Sequence, residues 1–263
     1  TQINRADNGN LIYHTDAINA LGQYTAYTSG NGKQTQKTYT DFGFPLSISA
    51  PAVQNMTFNF DPQNGNLISR ADVLKGLSET FSYDNSDRLL TATGGSGVGT
   101  NYFANGNIQD KSDATTGTGS YVYDPVKFNA LVKINNPTIN ISQSTQNIGY
   151  SSFHKAQTIT EDTYQLDFTY GPDEERKKTV LQNNSIIQST RYFSGDYEKT
   201  IAGSNTTEVH YINCNAGLAA MYIIENGNGT MYFHYLDYLG SILTVTDQNG
   251  SSPAEQSFDA WGR

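Results

Sequence analysis

A repeat of about 20 residues constrains this chain more than any other feature. From residue 39 to residue 170, an aromatic residue recurs that is followed by Asp or a small polar residue and then by a turn. The successive aromatic anchors are separated by 21, 23, 20, 20, 27 and 20 residues. A fixed period of this kind is typical of architectures that repeat one supersecondary unit. The anchors are Tyr39, Phe60, Tyr83, Phe103, Tyr123, Tyr150 and Tyr170.

The residues around the anchors predict β-hairpins. In the segment 164–170 the apolar residues occupy every second position, as they do at Met56, Phe58 and Phe60. A period of two indicates a half-buried strand. Such segments are separated by residue pairs that tolerate the positive φ angles of a tight hairpin turn. Each repeat is long enough for two short strands. These pairs are Asn64-Gly65, Asn105-Gly106, Asn183-Asn184, Asn226-Gly227 and Asn249-Gly250.

Stacking of the hairpins follows from their need to bury an apolar face, which one hairpin cannot do alone. The predicted fold class is therefore all-β, an array of antiparallel hairpins that forms a curved, twisted sheet. The 18 Tyr and 12 Phe residues support an ordered chain, because disordered segments are poor in aromatic residues. We expect one domain over 1–263, with degenerate repeats at 1–59, clear repeats at 60–125, irregular repeats at 126–160 and a distinct C-terminal group at 161–263.

Several motifs give the repeats a family resemblance. The segments 60–67 and 83–89 resemble units of the tyrosine-aspartate (YD) repeat, although Asp87 stands where Gly is usual. Three ordered motifs in the last third resemble the core region of bacterial Rhs-repeat proteins: 170–176, 237–250 and 258–263. The residues that carry the resemblance are Tyr83, Asp84, Tyr170, Gly171, Pro172, Asp173, Asp237, Leu239, Gly240, Asp247, Gly250, Phe258, Asp259, Trp261 and Gly262.

The resemblance implies a role as well as a fold. The family resemblance implies a hollow β-shell that encloses a polypeptide, often a C-terminal toxin. Such shells are parts of secreted or surface-displayed bacterial proteins. The implied partners are the remainder of the same polypeptide, namely a shell-closing segment and a C-terminal effector region. In bacterial members a self-cleaving segment follows the closing motif. Because that segment is not in this sequence, the resemblance assigns neither self-cleavage nor a toxin to it.

Charge and hydropathy exclude some classes of partner. The formal net charge of -9 argues against binding to nucleic acid through bulk electrostatics. No apolar run approaches the roughly 18 residues of a membrane-spanning helix, so we expect no membrane insertion. The first ten residues lack the basic start and apolar segment of a signal peptide, and we expect any targeting signal to lie outside this sequence.

The sequence predicts no catalytic residue, no metal ligand and no cofactor. His14, His154, His210 and His234 show no metal-ligand spacing and are interpreted as polar residues on strands. Cys214 lies four residues after His210, a separation that does not pair the two side chains in a strand.

Acidic and glycine-rich segments also have structural interpretations. The carboxylates of 173–175 predict a solvated turn with ion pairs to the adjacent Arg176, Lys177 and Lys178, rather than a glycosidase pair, whose members come from separate segments. The glycine-rich run 94–99 precedes a strand and not a helix, so it predicts a connection and not a phosphate loop. The Asp residues after the anchors are interpreted as turn formers rather than calcium ligands.

A non-enzymatic shell segment is thus the leading hypothesis. The alternative is a surface module that binds a cell-surface carbohydrate or protein in adhesion. Four aromatic residues are candidate platforms for stacking on sugars: Tyr192, Phe193, Tyr197 and Tyr232. The fold alone does not separate the two hypotheses.

Overall fold

A computed structural model describes residues 1–94, 97–138, 144–251 and 254–262. It is all-β: strands account for 58% of it, and no helix occurs in the described residues. Within each sheet, every strand pairs with its neighbours in the chain, so the sheets are antiparallel arrays of consecutive hairpins. The predicted fold class is confirmed.

The first sheet has eleven strands in chain order. They are β1 (Gln2–Asn4), β2 (Leu11–Ile18), β3 (Tyr24–Ser29), β4 (Gln34–Tyr39), β5 (Pro45–Ala50), β6 (Gln54–Phe60), β7 (Leu67–Asp72), β8 (Leu77–Tyr83), β9 (Leu89–Thr93), β10 (Val98–Tyr102) and β11 (Ile108–Lys111). A two-stranded sheet follows, with β12 (Tyr121–Tyr123) and β13 (Leu131–Ile134).

The third sheet also has eleven strands in chain order. They are β14 (Gln146–Tyr150), β15 (Ala156–Glu161), β16 (Tyr164–Tyr170), β17 (Arg176–Asn183), β18 (Ile186–Ser194), β19 (Tyr197–Ala202), β20 (Asn205–Cys214), β21 (Gly217–Glu225), β22 (Asn228–Leu236), β23 (Ile242–Thr246) and β24 (Ala254–Glu255). Two strands in each repeat of about 20 residues confirm the prediction of one hairpin per repeat.

The chain divides into two compact units. Unit 1 comprises Thr1–His14, Thr28–Lys33 and Gln143–Glu255. Unit 2 comprises Thr15–Tyr27, Gln34–Ser142 and Gln256–Arg263. The domain boundaries that the sequence predicts stay predictions.

Unit 1 has its core around β22 and β23, where polar groups are buried with the apolar ones. Tyr235 is fully buried, and its hydroxyl lies 3.0 Å from Asn31 Nδ2, which also donates to Thr246 Oγ1 at 2.7 Å. The neighbouring Gly30 has no room for a side chain, because a Cβ there would lie 2.1 Å from the Leu11 carbonyl oxygen. The backbone at residue 30 thus packs so closely against the backbone of β2 that only glycine fits at this position.

Unit 2 has its core on alternate residues of β5 and β6. Ile48, Ala50, Met56 and Phe58 are buried, while Thr57 between the last two is exposed. The predicted alternation at this strand is confirmed. In unit 1 the same pattern at β16 gives less burial, since Tyr164 is 51% exposed.

The anchors end their strands at a β-bulge. Between Ser82 and Tyr83 the register shifts, so that Ser82 pairs with Thr91 but Tyr83 pairs with Leu89. A bulge inserts one extra residue into one strand and disrupts the ladder locally. In the described residues, equivalent shifts occur at the last residue of nine strands: Asn4, Tyr39, Phe60, Tyr83, Tyr102, Tyr123, Tyr150, Tyr170 and Leu236.

One predicted anchor is displaced by a residue. The bulge after β10 lies at Tyr102, and Phe103 takes the following position, where its N–H donates to the Asn107 carbonyl. Asp84 makes the matching bond to Arg88 in its own repeat. The prediction of Phe103 as the anchor is therefore wrong, because the aromatic pair at 102–103 conceals which of the two residues ends the strand.

Hydroxyl groups of the anchors link successive repeats. Tyr83 Oη donates to the Leu67 carbonyl at 3.0 Å, and Tyr102 Oη donates to the Leu89 carbonyl at 2.8 Å. In both cases the acceptor residue is the strand partner of the preceding anchor. The hydroxyl therefore bonds a carbonyl beside the previous bulge. Tyr123 and Tyr170 form the same link, to the carbonyl groups of Ile108 and Ala156. Tyr39 Oη donates to the Tyr24 carbonyl.

Removal of one link tests its contribution to stability. We expect Tyr83→Phe to lower the free energy of unfolding by about 1 kcal/mol, because the Leu67 carbonyl loses its donor. Urea unfolding monitored by circular dichroism measures the change. The matched control is Tyr164→Phe, at a half-exposed tyrosine, where we expect a change within about 0.5 kcal/mol. Equal losses in the two variants would contradict the role of the link.

Candidate functional site

The Asp residues of the family motifs form the turns. Asp84 Oδ1 accepts the N–H groups of Ser86 at 2.9 Å and Arg88 at 3.0 Å. Asp237 Oδ1 accepts those of Leu239 at 2.9 Å and Ser241 at 2.8 Å. A carboxylate that accepts two backbone N–H groups fixes the path of the turn. The prediction of Asp residues as turn formers is confirmed.

The C-terminal motifs repeat this chemistry. Asp247 Oδ1 accepts the N–H groups of Asn249 at 2.8 Å and Ser251 at 3.0 Å, and Asp259 Oδ1 accepts that of Trp261 at 2.8 Å. A residue with positive φ follows each turn-forming position by three: Asp87 after Asp84, Gly240 after Asp237, Gly250 after Asp247 and Gly262 after Asp259. Asp87 has a φ of 57°, which explains why Asp can replace the usual Gly there.

The motif at 170–176 forms a turn of the same shape with different residues. Gly171 takes the position of Asp, and Glu174 takes the left-handed position with a φ of 58°. Exposed Pro172 lies inside the turn. Lys177 Nζ lies 2.7 Å from an Asp173 carboxylate oxygen, and it holds the pKa of that carboxyl below its ordinary value.

The predicted ion pairs of this turn are only partly confirmed. Lys177 bonds Asp173 and Glu175, but Arg176 makes neither contact and lies against aromatic rings instead. Lys178 pairs with Thr169 and Tyr192 in the ladder. The bulge at Tyr170 accounts for the difference. Lys177 is the extra residue of the bulge, and Arg176 and Lys178 on either side of it lie on opposite faces of the strand.

The closing motif is held within unit 2 by three cations that sequence reasoning missed. The Arg70 guanidinium donates to the Phe258 carbonyl, and Lys75 Nζ donates to the Gln256 carbonyl at 2.9 Å. Buried Lys111 lies 4.7 Å from the centre of the Trp261 ring. Local spacing gives no signal for these contacts, because the cations precede the motif by well over a hundred residues.

The hairpin turns and the glycine-rich run differ in detail from expectation. The turn after β17 has positive φ at Asn184 and Ser185, one residue later than the predicted pair Asn183-Asn184. The prediction for 94–99 rests partly on Gly95 and Ser96, which lie outside the described residues. Its flanks join two paired strands, β9 and β10.

Three of the four histidines lie on strands as predicted, and one does not. His14, His210 and His234 are on β2, β20 and β22, whereas His154 takes the left-handed position of a turn with a φ of 63°. His234 is 2% exposed, and neither ring nitrogen has a hydrogen-bond partner. Burial lowers the pKa of His234 to about 4, so the ring is neutral at neutral pH.

Cys214 and His210 do not form a nucleophile pair. His210 packs between Tyr197 and Tyr222, with ring centroids 4.9 Å and 6.4 Å away. Cys214 Sγ donates to the Gly217 carbonyl at 3.2 Å. Within the described residues, no group of three or more His, Cys, Asp or Glu side chains is placed to hold a metal ion. No helix long and apolar enough to cross a membrane occurs in that part of the chain.

An open groove of about 630 Å³ crosses the ends of β15 to β19 in unit 1. Arg176 lies over the Phe168 and Phe193 rings, with its Cζ 5.1 Å and 5.7 Å from their centroids. Lys155 Nζ lies 5.7 Å from the centroid of the Tyr170 ring. The groove thus presents cations above aromatic rings, and it is lined by Lys155, Ala156, Tyr170, Arg176, Phe193 and Glu198.

The four candidate platforms are not brought together as an exposed aromatic surface. Phe193 lies in the groove with guanidinium groups beside its ring, and Tyr197 packs against His210. Tyr232 is half-buried on β22. Tyr192 is 42% exposed and lies on the face of its strand opposite to Phe193.

Comparisons with known proteins identify a fold. No protein-family model matches the sequence, and no curated protein does. The Photorhabdus luminescens Tc holotoxin pore matches with a TM-score of 0.74 at 15% identity. The TcdB2-TccC3-TEV structure matches with 0.75 at 16%, and TcdB2-TccC3 without its hypervariable C-terminal region with 0.74 at 15%. Each match covers 96% of this chain but 16% of the other chain.

The likeness at this level of identity shows the fold alone. The chain spans about one sixth of the length of the structures it matches. Nearly all of it follows their backbone. The hairpin array is therefore of the kind found in a segment of these Tc toxin structures, which supports the Rhs-like shell fold that the motifs predict.

Substitution of Asp237 tests the turn chemistry. We expect Asp237→Ala to lower the free energy of unfolding by about 2 kcal/mol, because two backbone N–H groups lose their acceptor. Asp237→Asn keeps an oxygen acceptor and should lose less. Urea unfolding measures both, and Asp41→Ala in an exposed turn position is the control, with an expected change within about 0.5 kcal/mol. Alanine and asparagine variants of equal stability would contradict the assignment.

The buried His234 predicts acid sensitivity. Its folded-state pKa lies below the ordinary value, so between pH 6.5 and about 4 the unfolded chain binds a proton that the folded chain excludes. Stability is therefore lost as pH falls through this window, by about 3 kcal/mol. We expect His234→Leu to lose less stability than wild type between pH 7.5 and pH 4.5 in urea unfolding. The control His210→Gln, at an exposed ring, should lose as much unfolding free energy over this pH range as wild type. An equal loss in the His234→Leu variant would refute the prediction.

Proposed function

We propose that this chain is a wall segment of a Rhs-type β-shell, a non-enzymatic scaffold that surrounds another part of the same polypeptide. The observation that carries the proposal is the match of 96% of the chain to the backbone of TccC3-containing Tc toxin structures. The enclosed part would be a C-terminal effector or toxin region. By this proposal the chain belongs to the YD-repeat family, and the protein is secreted or displayed at the cell surface.

The turn motifs support the proposal independently of the backbone match. Asp84, Asp237 and Asp247 form equivalent turns in places where the sequence resembles YD-repeat and Rhs-core motifs. The residues shared with the family thus build the scaffold. A scaffold role needs these contacts and does not need a reactive group.

Exposure of the strands of unit 1 also fits a wall. All five residues of β14 are exposed, and β16 has no fully buried residue on either face. A sheet that buries neither face completely leaves one face for solvent and the other for an enclosed segment. In β22, by contrast, five of the nine residues are buried.

The alternative, a surface module that binds carbohydrate or protein in adhesion, has less support. Stacking on a sugar needs an aromatic ring with an open face. Guanidinium groups lie beside the ring of Phe193, and Tyr197 packs against His210. Of the candidate platforms, Tyr192 has the greatest exposure, and a single ring is a weak platform.

Limited proteolysis tests the wall proposal in the longest natural polypeptide that contains this sequence. We expect a segment outside residues 1–263 to resist trypsin while the wall is intact. Double substitution of Asp237 and Asp247 by Ala weakens two turns and should make that segment digestible, with release followed by mass spectrometry. The control is Asp41→Ala, which should leave the protection unchanged.

Two outcomes contradict the proposal. One is that every segment outside residues 1–263 is digested at the rate of a free peptide in the wild-type protein. The other is that the protected segment stays protected after residues 1–263 themselves have been cleaved. In either case the chain would not shield an enclosed polypeptide.

A further inference from the structure

The bulge at the Tyr170 anchor places Arg176 in the groove. Thr169 pairs with Lys178, whereas Tyr170 pairs with Arg176, so Lys177 is the extra residue of the bulge. Side chains directly opposite each other in a ladder share a face. Arg176 therefore lies on the face of Tyr170 and Phe168, while Lys178 lies on the opposite face.

Two aromatic rings lie against the guanidinium group of Arg176. Arg176 Cζ lies within 5.7 Å of the ring centroids of both Phe168 and Phe193. Arg191 approaches the Phe193 ring at 5.6 Å and is paired with Glu198 at 2.7 Å. Glu198 thus forms its ion pair with Arg191 and not with Arg176.

Arg176 differs from Arg191 in that it has no acidic partner. No carboxylate lies within ion-pair distance of Arg176 in the described part of the chain. Lys155, the other exposed cation of the groove, donates to the Glu174 carbonyl. In a chain with a net charge of -9, the groove therefore holds two cations whose charges no carboxylate there neutralises.

The geometry selects among ligands. Cations lie against the rings of Phe168, Phe193 and Tyr170, so the groove does not offer the open rings on which a neutral sugar stacks. A guanidinium group presents paired N–H donors that match a carboxylate. We propose that this groove binds a carboxylate-bearing segment of polypeptide, with Arg176 as the principal ligand and Lys155 as the second.

A polypeptide fits the groove better than an anionic polysaccharide. The Glu198 carboxylate at the groove wall would repel a uniformly anionic chain, but it can accept the backbone N–H of a peptide. A groove volume of about 630 Å³ is within the range of ligand sites. The choice of a polypeptide rests on the proposed function, in which the chain surrounds a segment of the same protein.

Fluorescence polarisation tests the proposal with the chain as given. The probe is a fluorescein-labelled ten-residue peptide with four Glu residues separated by Gly and Ser, and its matched control has Gln in place of Glu. We expect the Glu peptide to bind more tightly than the Gln peptide at low salt. Arg176→Gln should weaken binding about tenfold, because it removes a charge-assisted hydrogen-bond donor.

The control variant lies two residues away on the other face of the strand. Lys178→Gln removes the same unit of charge and should bind the Glu peptide like wild type. Urea unfolding should show that both variants keep wild-type stability. Lys155→Gln is the second test variant and should weaken binding by a smaller factor than Arg176→Gln.

Three outcomes overturn the proposal. The first is equal binding of the Glu and Gln peptides, and the second is an equal effect of Arg176→Gln and Lys178→Gln, which would indicate bulk electrostatics. The third is tighter binding of an oligogalacturonate than of the Glu peptide at equal carboxylate concentration, which would assign the groove to an acidic polysaccharide. If peptide binding fails while the protease protection persists, the wall proposal stands without the groove.

Discussion

The hydrogen bond from an anchor tyrosine to the repeat before it is the interaction on which the rest of the hairpin array depends. A bulge at the end of each anchor strand disrupts the ladder, and the next tyrosine supplies a donor to a carbonyl beside that bulge. Five anchor tyrosines thereby satisfy a polar group of the neighbouring repeat. Stacked hairpins joined in this way are stabilised by nearest-neighbour contacts, as in other repeat proteins.

The repeat was predictable because its chemistry is local. Asp84 and Asp237 bond N–H groups two and four residues ahead, so a short segment of sequence contains both the acceptor and its donors. The aromatic period and the alternation around it likewise predicted strand β6 and one hairpin per repeat. One predicted anchor was wrong, because Tyr102 and Phe103 are adjacent aromatic residues that fit the pattern equally well.

The contacts that sequence reasoning missed are of two kinds. Lys111 and Trp261 are distant in sequence, and nothing in the residues around either one predicts the other. Arg176 is missed for a different reason, since alternation along β17 alone places it on the same face as Lys178. A bulge removes that relation, and its position depends on backbone geometry that composition does not specify.

The bulges give length changes at the anchor turns an unusual effect. Deletion of Lys177, the extra residue, would make Arg176 and Lys178 adjacent, so that they would stay on opposite faces, opposite Tyr170 and Thr169 as before. The order of the strands and the turn itself could remain. A bulge at an anchor can therefore take up or release one residue while the charges of the two faces stay in place, and a sheet of this kind could change the length of a strand end without changing its fold or its lining.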